Sequence, residues 1–250
     1  NLLELRADEK IQTLVRIVAT YGANKEDQTW QQNHELFFVT RQGTIKRTAL
    51  SDFQNVRKGG IIAITLEPGD NLVEVRLTTG QNEIVLITRE GMSIRFNEDQ
   101  VRSMGRNAAG VKGIDLEKSD AIVACALVDG DSRLLVAGEN GIGKRTSFEE
   151  YRLQSRGGKG IITMKTGEKT GKVIGALTVR DTDELMLITV GGQMVRIPVL
   201  GIREAGRNTQ GVKLIDLAEG DRLQAIAPVI SEREEDVASG ETPALPLPPG

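Results

Sequence analysis

Four strand-like runs, each closing on a glycine, recur along this chain at nearly constant intervals. ELFFVTRQG ends at Gly43, EIVLITREG at Gly91, RLLVAGENG at Gly141 and ELMLITVGG at Gly192, giving spacings of 48, 50 and 51 residues by subtraction. A second glycine follows each at a steady offset: Gly60, Gly110, Gly160 and Gly211, spaced by 50, 50 and 51. A period near 50 residues marks a solenoid, a propeller or an array, in which like units stack because none can bury its apolar face alone.

Every unit repeats one internal order. A nearly continuous apolar run such as Leu185–Ile188 suits a strand buried on both faces. A glycine turn follows, then a strand ending in a cation, then a glycine-rich basic loop. That loop leads into a third strand, as in IIAITL (Ile61–Leu66) or VKLIDL (Val212–Leu217). EPGD (Glu67–Asp70), EKSD (Glu117–Asp120) and AEGD (Ala218–Asp221) read as hairpin turns before an apolar last strand such as LQAIAPVI (Leu223–Ile230). Four strands per unit and no sustained helical periodicity predict an all-β, propeller-like array of four-stranded blades.

The units run approximately over 34–82, 83–131, 132–182 and 183–230. Residues 1–33 read as a partial leading unit and a polar insertion, because LELRADEKI lies over IDLEKSDAI. Residues 231–250 are acidic and then Pro-rich, too polar to fold, and are expected to be disordered.

The net charge of −3 seems to argue against a polyanionic partner. The average misleads, because Glu232, Glu234, Glu235, Asp236 and Glu241 face only Arg233 in the tail, about −4. Subtracting that leaves about +1 for residues 1–230, so the sign of particular loops decides. The single cysteine, Cys125, sits in the apolar run AIVACALV and is expected to be a buried, reduced thiol; no disulfide framework is available. No apolar run approaches the roughly 18 residues of a membrane span and no signal peptide is evident, so no membrane partner and a cytoplasmic location are expected.

The cations keep the repeat. Four positions after the first glycine stand Arg47, Arg95, Arg145 and Arg196. Around the second glycine stand Arg57 and Lys58, Arg106 and Lys112, Arg156 and Lys159, and Arg207 and Lys213. The second and fourth units share GRNxxGVK; the third has QSRGGKG at Gln154–Gly160. One charged surface loop needs no explanation, but four at one address, with few carboxylates, point to an anion. Propeller symmetry would set them side by side on one rim, where guanidinium groups and backbone N–H groups suit phosphate oxygens. Aromatics make up only 3% of the chain, which leaves little to stack on single strands, and no recognition helix is evident. Duplex DNA held by its backbone and bent over a curved surface is the expected partner. About eight phosphate contacts would give a log–log salt slope near −7.

A catalytic or metal centre is not expected. His34 is the only histidine, one His and one Cys cannot build a common zinc site, and neither a Walker A loop nor GxSxG occurs. Tyr21 and Tyr151 have no acidic cluster or basic constellation beside them. The alternative to DNA binding is a protein-binding propeller scaffold, against which weigh the absent WD dipeptides and the single Trp30.

Taken together, the repeated unit, GKRT (Gly143–Thr146), SMGRNAAGVKGI (Ser103–Ile114) and the VGGQMVRIPV…GRNTQGVKLI block (Val190–Ile215) resemble the C-terminal domain of DNA gyrase A over residues 1–230. The corresponding domain of topoisomerase IV is the neighbouring alternative. The resemblance implies a six-bladed β-pinwheel, of which about four and a half units are present here, whose blades exchange strands. It implies DNA wrapped on a basic outer rim and handed to an ATP-dependent type II topoisomerase that introduces negative supercoils. Further implications are a bacterial, nucleoid-associated setting and partnership with the rest of gyrase A and with gyrase B. Catalytic tyrosine, ATP and Mg would belong to the holoenzyme outside this chain, the chain itself being noncatalytic and monomeric in isolation. The family's signature basic box belongs to a leading unit, so QSRGGKG reads as the equivalent loop of a later blade. The acidic tail is expected to compete with DNA for the rim.

Overall fold

A computed structural model describes residues 10–15, 17, 33–55 and 60–229. Arg57, Lys58, the tail and most of residues 1–33 lie outside the described residues. The first unit gives β1 (Glu35–Thr40), β2 (Thr44–Ala49) and β3 (Leu72–Thr78). The second gives β4 (Glu83–Thr88), β5 (Met92–Asn97), β6 (Val111–Lys112) and β7 (Ile122–Leu127). The third gives β8 (Arg133–Gly138), β9 (Ile142–Ser147), β10 (Ile161–Ile162) and β11 (Val173–Val179). The fourth gives β12 (Glu184–Thr189), β13 (Met194–Pro198), β14 (Val212–Lys213) and β15 (Leu223–Pro228).

Units of sequence and sheets of structure are out of phase by one strand. The sheets run β3-β1-β2-β6, β10-β5-β4-β7, β11-β8-β9-β14 and β13-β12-β15, so β6, β10 and β14 each complete the sheet of the preceding unit. Two expectations are corrected here. The strand expected over Ile61–Leu66 joins no sheet, and that over Val212–Leu217 shrinks to two residues. The turns Glu67–Asp70, Glu117–Asp120 and Ala218–Asp221 do close, each at 3.0 Å, but they do not join hairpins. The flanking strands β6 and β7 belong to different sheets, as do β14 and β15, so the chain crosses from one blade's outer edge to the next blade's inner edge.

At the inner edges β11 packs against both β7 and β15, and β3 packs against β7, which sets the sheets side by side. The core lies between blades. Ile84 and Leu86 of β4 face one cluster with Phe37, Val39 and Ile45 of the first blade. Val85 and Ile87 of the same strand face the other cluster, with Leu134, Val136 and Tyr151 of the third unit. All four β4 side chains are fully buried, which accounts for a run apolar at every position rather than at alternate ones. Each contributes about 1.5–3 kcal/mol by burial. Cys125 is buried in the first of these clusters, and burial pushes its thiol well above the ordinary range.

The second glycine of the period has a steric cause. A Cβ on Gly110, Gly160 or Gly211 would stand closer than 3.0 Å to the backbone oxygen of Ile45, Ser93 or Gly143, each in the preceding blade, and each glycine has positive φ. Gly60 has positive φ as well, but a Cβ there meets nothing within 4 Å. The repeated Asp fixes the same crossing: Asp70 Oδ1 accepts from Gln42 N, Asp120 Oδ1 from Glu90 N and Asp221 Oδ1 from Gly191 N, at 2.9, 3.0 and 2.9 Å. It thereby ties the later turn to the first in units one, two and four.

Candidate nucleic-acid interface

The basic loops of units two to four each lead into an outermost strand, β6, β10 or β14, and so stand at the outer edge of the preceding blade. Consecutive loops are joined. Gly157 N donates to Gly113 O at 2.6 Å and Asp115 N to Gly158 O at 2.9 Å. Lys165 N donates to Thr209 O at 3.0 Å, and Thr65 Oγ1 to Asn107 O at 2.7 Å. Arg156 Nη1 caps the carbonyl of Lys112 at 3.0 Å, and Arg207 Nη1 does the same for Ile162 at 2.9 Å, one repeat on. Both arginines are half-buried, and each backbone N–H is also held, Arg156 N by Gln100 Oε1 and Arg207 N by Glu150 Oε2. Arg106 occupies the matching place in the second unit and is half-buried too.

The loop lysines are the freer cations. Side chains of Lys112, Lys159 and Lys213 are 62%, 76% and 63% exposed. Each has a carboxylate nearby: Asp115 at 2.6 Å, Glu117 at 3.6 Å and Asp216 at 2.5 Å. Lys112 holds the Asp115 carboxyl below its ordinary range, first through their hydrogen bond. Pairs this exposed are weak, so the ammonium groups can exchange a carboxylate for another anion at little cost.

The four regularly spaced arginines are placed differently from the loop cations with which the sequence groups them. Arg145 is buried, its Nε donating to Ile202 O at 2.7 Å and its Nη1 pairing with Asp181. Arg95 donates from Nη1 to Phe148 O at 2.6 Å and Tyr151 O at 3.0 Å and pairs with Glu83. Arg47 reaches Gly80 O at 2.9 Å, with Glu35 at 3.8 Å. Arg196 is the exposed one and pairs with Glu184. Their backbone oxygens also work between units: Met104 N, Gln154 N and Ala205 N donate to Arg47 O, Arg95 O and Arg145 O at 2.8, 2.8 and 2.9 Å. The side chains of Arg95 and Arg145 fasten one unit to the next, those of Arg47 and Arg196 are held within their own units, and of the four only Arg196 presents its guanidinium to solvent.

Sequence reasoning passed over Lys46 and Lys144, both fully buried beneath the loops. Their signal was the shared KRT of Lys46–Thr48 and Lys144–Thr146. Among the described residues, no group of three or more His, Cys, Asp or Glu is arranged to hold a metal, and no helix is long and apolar enough to cross a membrane.

Antiparallel blades that pass strands between units, as the first three blades here receive β6, β10 and β14 from the next, define a β-pinwheel, a strand-exchanged relative of the propeller. The family profile described as DNA gyrase C-terminal domain, beta-propeller, matches residues 34–79, 82–129, 132–180 and 183–230. This chain belongs to that family. It is 53% identical over 235 residues to DNA gyrase A of Halalkalibacterium halodurans, covering 94% of this chain and 27% of the relative. It is 40% identical over 243 residues to DNA gyrase A of Escherichia coli, covering 96% and 27%. The chain thus spans about a quarter of the length of these relatives. A crystal structure of the C-terminal domain of DNA topoisomerase IV superposes with a TM-score of 0.77 at 30% identity, covering 83% of this chain and 65% of that one. A structure of the DNA gyrase A C-terminal domain gives 0.73 at 27%, covering 80% and 67%.

Proposed function

We propose that this chain binds duplex DNA along the outer edges of its blades, through the phosphate backbone, and bends it into a wrap. In the holoenzyme that wrap would present a DNA segment for chiral strand passage by an ATP-dependent type II topoisomerase, with the rest of gyrase A and gyrase B supplying the chemistry. The observation that carries the reading is the hydrogen-bonded succession of loops, which sets Lys112, Lys159 and Lys213 on consecutive outer edges in chain order. A single loop cannot sustain a bend that costs on the order of 1–6 kcal/mol, whereas a fixed row of cations shares it. The loop segments 103–112, 154–161 and 205–213 carry neither an aromatic ring for stacking nor a recognition helix, which favours backbone contact over base reading. Arg106, Arg156 and Arg207 are assigned a mixed part: they shape the loops and add positive charge beneath the lysines.

The test is the salt dependence of duplex affinity. Replacing Lys112, Lys159 and Lys213 together by Gln should flatten the log–log salt slope by about 0.9 per lysine, whatever the DNA sequence. An unchanged slope would place the DNA elsewhere.

A further inference from the structure

The blade joints are of two kinds, distinguished by the residue just before the repeated arginine. In the first blade it is Lys46, whose Nζ donates to Ala63 O at 2.6 Å and to Arg106 O, with the Phe38 ring centroid 5.5 Å away. In the third blade it is Lys144, whose Nζ donates to Gly206 O and Arg207 O, both at 2.5 Å, and to Thr209 Oγ1 at 3.0 Å. Each lysine thus grips the GRN loop of the following unit from below. In the second blade the position is Ile94, and the loop it receives is the glycine-rich SRGGKG, with a Cβ built on Gly158 standing 3.7 Å from Ile94 Cδ1. A loop with exposed carbonyls turned inward meets an ammonium, and a loop stripped to glycine meets a methyl group.

Resting on the DNA-binding reading above, we propose that Lys46 and Lys144 are positioning residues that hold the Arg106 and Arg207 loops in their phosphate-binding shape. Geometry requires a donor at this place. The carbonyl of Arg106 turns onto Lys46, those of Gly206 and Arg207 converge on Lys144, and a buried acceptor left without a partner is destabilising. A buried cation is itself expensive, so core packing alone gives no reason for a lysine here. Retaining a lysine therefore serves the loop more than the core. Burial lowers each ammonium to about 8; Asp52 opposes and Arg106 adds to this for Lys46, as Glu150 and Arg207 do for Lys144.

The test compares Lys144→Met and Lys46→Met with the parent full chain by amide exchange, duplex binding and lysine side-chain NMR. In Lys144→Met, amides of residues 206–210 should exchange about tenfold faster while those of 105–109 hold, with the pattern reversed in Lys46→Met. Duplex affinity should fall in each, measured where both variants are fully folded. Two lysine resonances of the parent should titrate near pH 8, one lost in each variant. Loss of affinity with unchanged loop exchange would mean the lysines act by charge alone and would overturn the inference. So would unchanged exchange and unchanged affinity. Should Lys144→Met fail to fold, Lys46→Met tests the other joint by the same readouts. If the parent binds no duplex, the functional reading fails, and the exchange pattern still judges whether the lysines set the loops.

Discussion

The Nε of Arg145, a residue of the third blade, donates to the carbonyl oxygen of Ile202 in the fourth unit across 2.7 Å. With its Nη1 paired to Asp181 and its surface almost wholly covered, this side chain fastens two blades. Arg145→Ala leaves Ile202 O unpaired and opens a space between sheets, so a loss of about 3 kcal/mol in unfolding free energy is expected. Arg196→Ala, at the equivalent but exposed position, should leave the denaturation midpoint unchanged. Equal effects of the two substitutions would contradict the distinction.

The second glycine separates backbone freedom from steric need. Gly60→Ala meets no neighbour and should cost only the left-handed backbone term, about 1–2 kcal/mol. Gly160→Ala drives a Cβ into Ser93 O and should cost about 3 kcal/mol or more. Chemical denaturation of the two variants side by side decides it.

Glu98 carries a pH signature. It is fully buried, accepting from Thr78 Oγ1 and from Asn82 N at 3.2 Å. Burial raises its pKa above 4.5 despite the opposing hydrogen bonds. The folded chain therefore keeps this proton over a range in which the unfolded chain has lost it. The stability contributed is complete below the unfolded pKa and declines as pH climbs through the folded one. Glu98→Gln removes that decline, so the stability of the variant relative to the parent should rise with pH from about 4.5 toward neutrality. A flat difference across that range would show that Glu98 titrates normally.

Asp115 and Asp216 hold the loop lysines Lys112 and Lys213 three residues before them. Asp115→Asn with Asp216→Asn frees both ammonium groups and removes two negative charges beside the proposed phosphate path. Duplex affinity should rise about threefold at low salt, and the gain should vanish at high salt. Weaker binding at low salt would mean that the carboxylates orient the lysines rather than compete for them.

The period was legible because apolar runs such as Ile84–Ile87 and the glycine at 110, 160 and 211 answer to local constraints: burial on two faces and a close backbone approach. Strand exchange was implied by the family resemblance but not by the pattern of residues. Val111 and Lys112 follow the second unit's loop in sequence yet pair with Thr44 and Ile45 of the first, a choice made by hydrogen bonds between distant segments. For the same reason Glu117–Asp120 resembled a hairpin turn while connecting two sheets. The repeated arginines misled in another way. Arg95 and the loop residue Arg156 carry the same charge at equally regular spacing, and only the packing reveals that one faces carbonyls of the next unit. Lys46 and Lys144 escaped because charge in a strand reads as solvated when the alternation around it is hidden by burial on both faces.

The wrap itself is tested most directly by topology. Nicked circular DNA is ligated in the presence of the full chain, the protein is removed, and the linking-number distribution is compared with protein-free ligation. The expected result is a shift of one sign that grows with protein and is diminished when Lys112, Lys159 and Lys213 are replaced by Gln. Tight duplex binding with no change in linking number would contradict the account, since cations fixed along successive outer edges would then hold DNA without curving it.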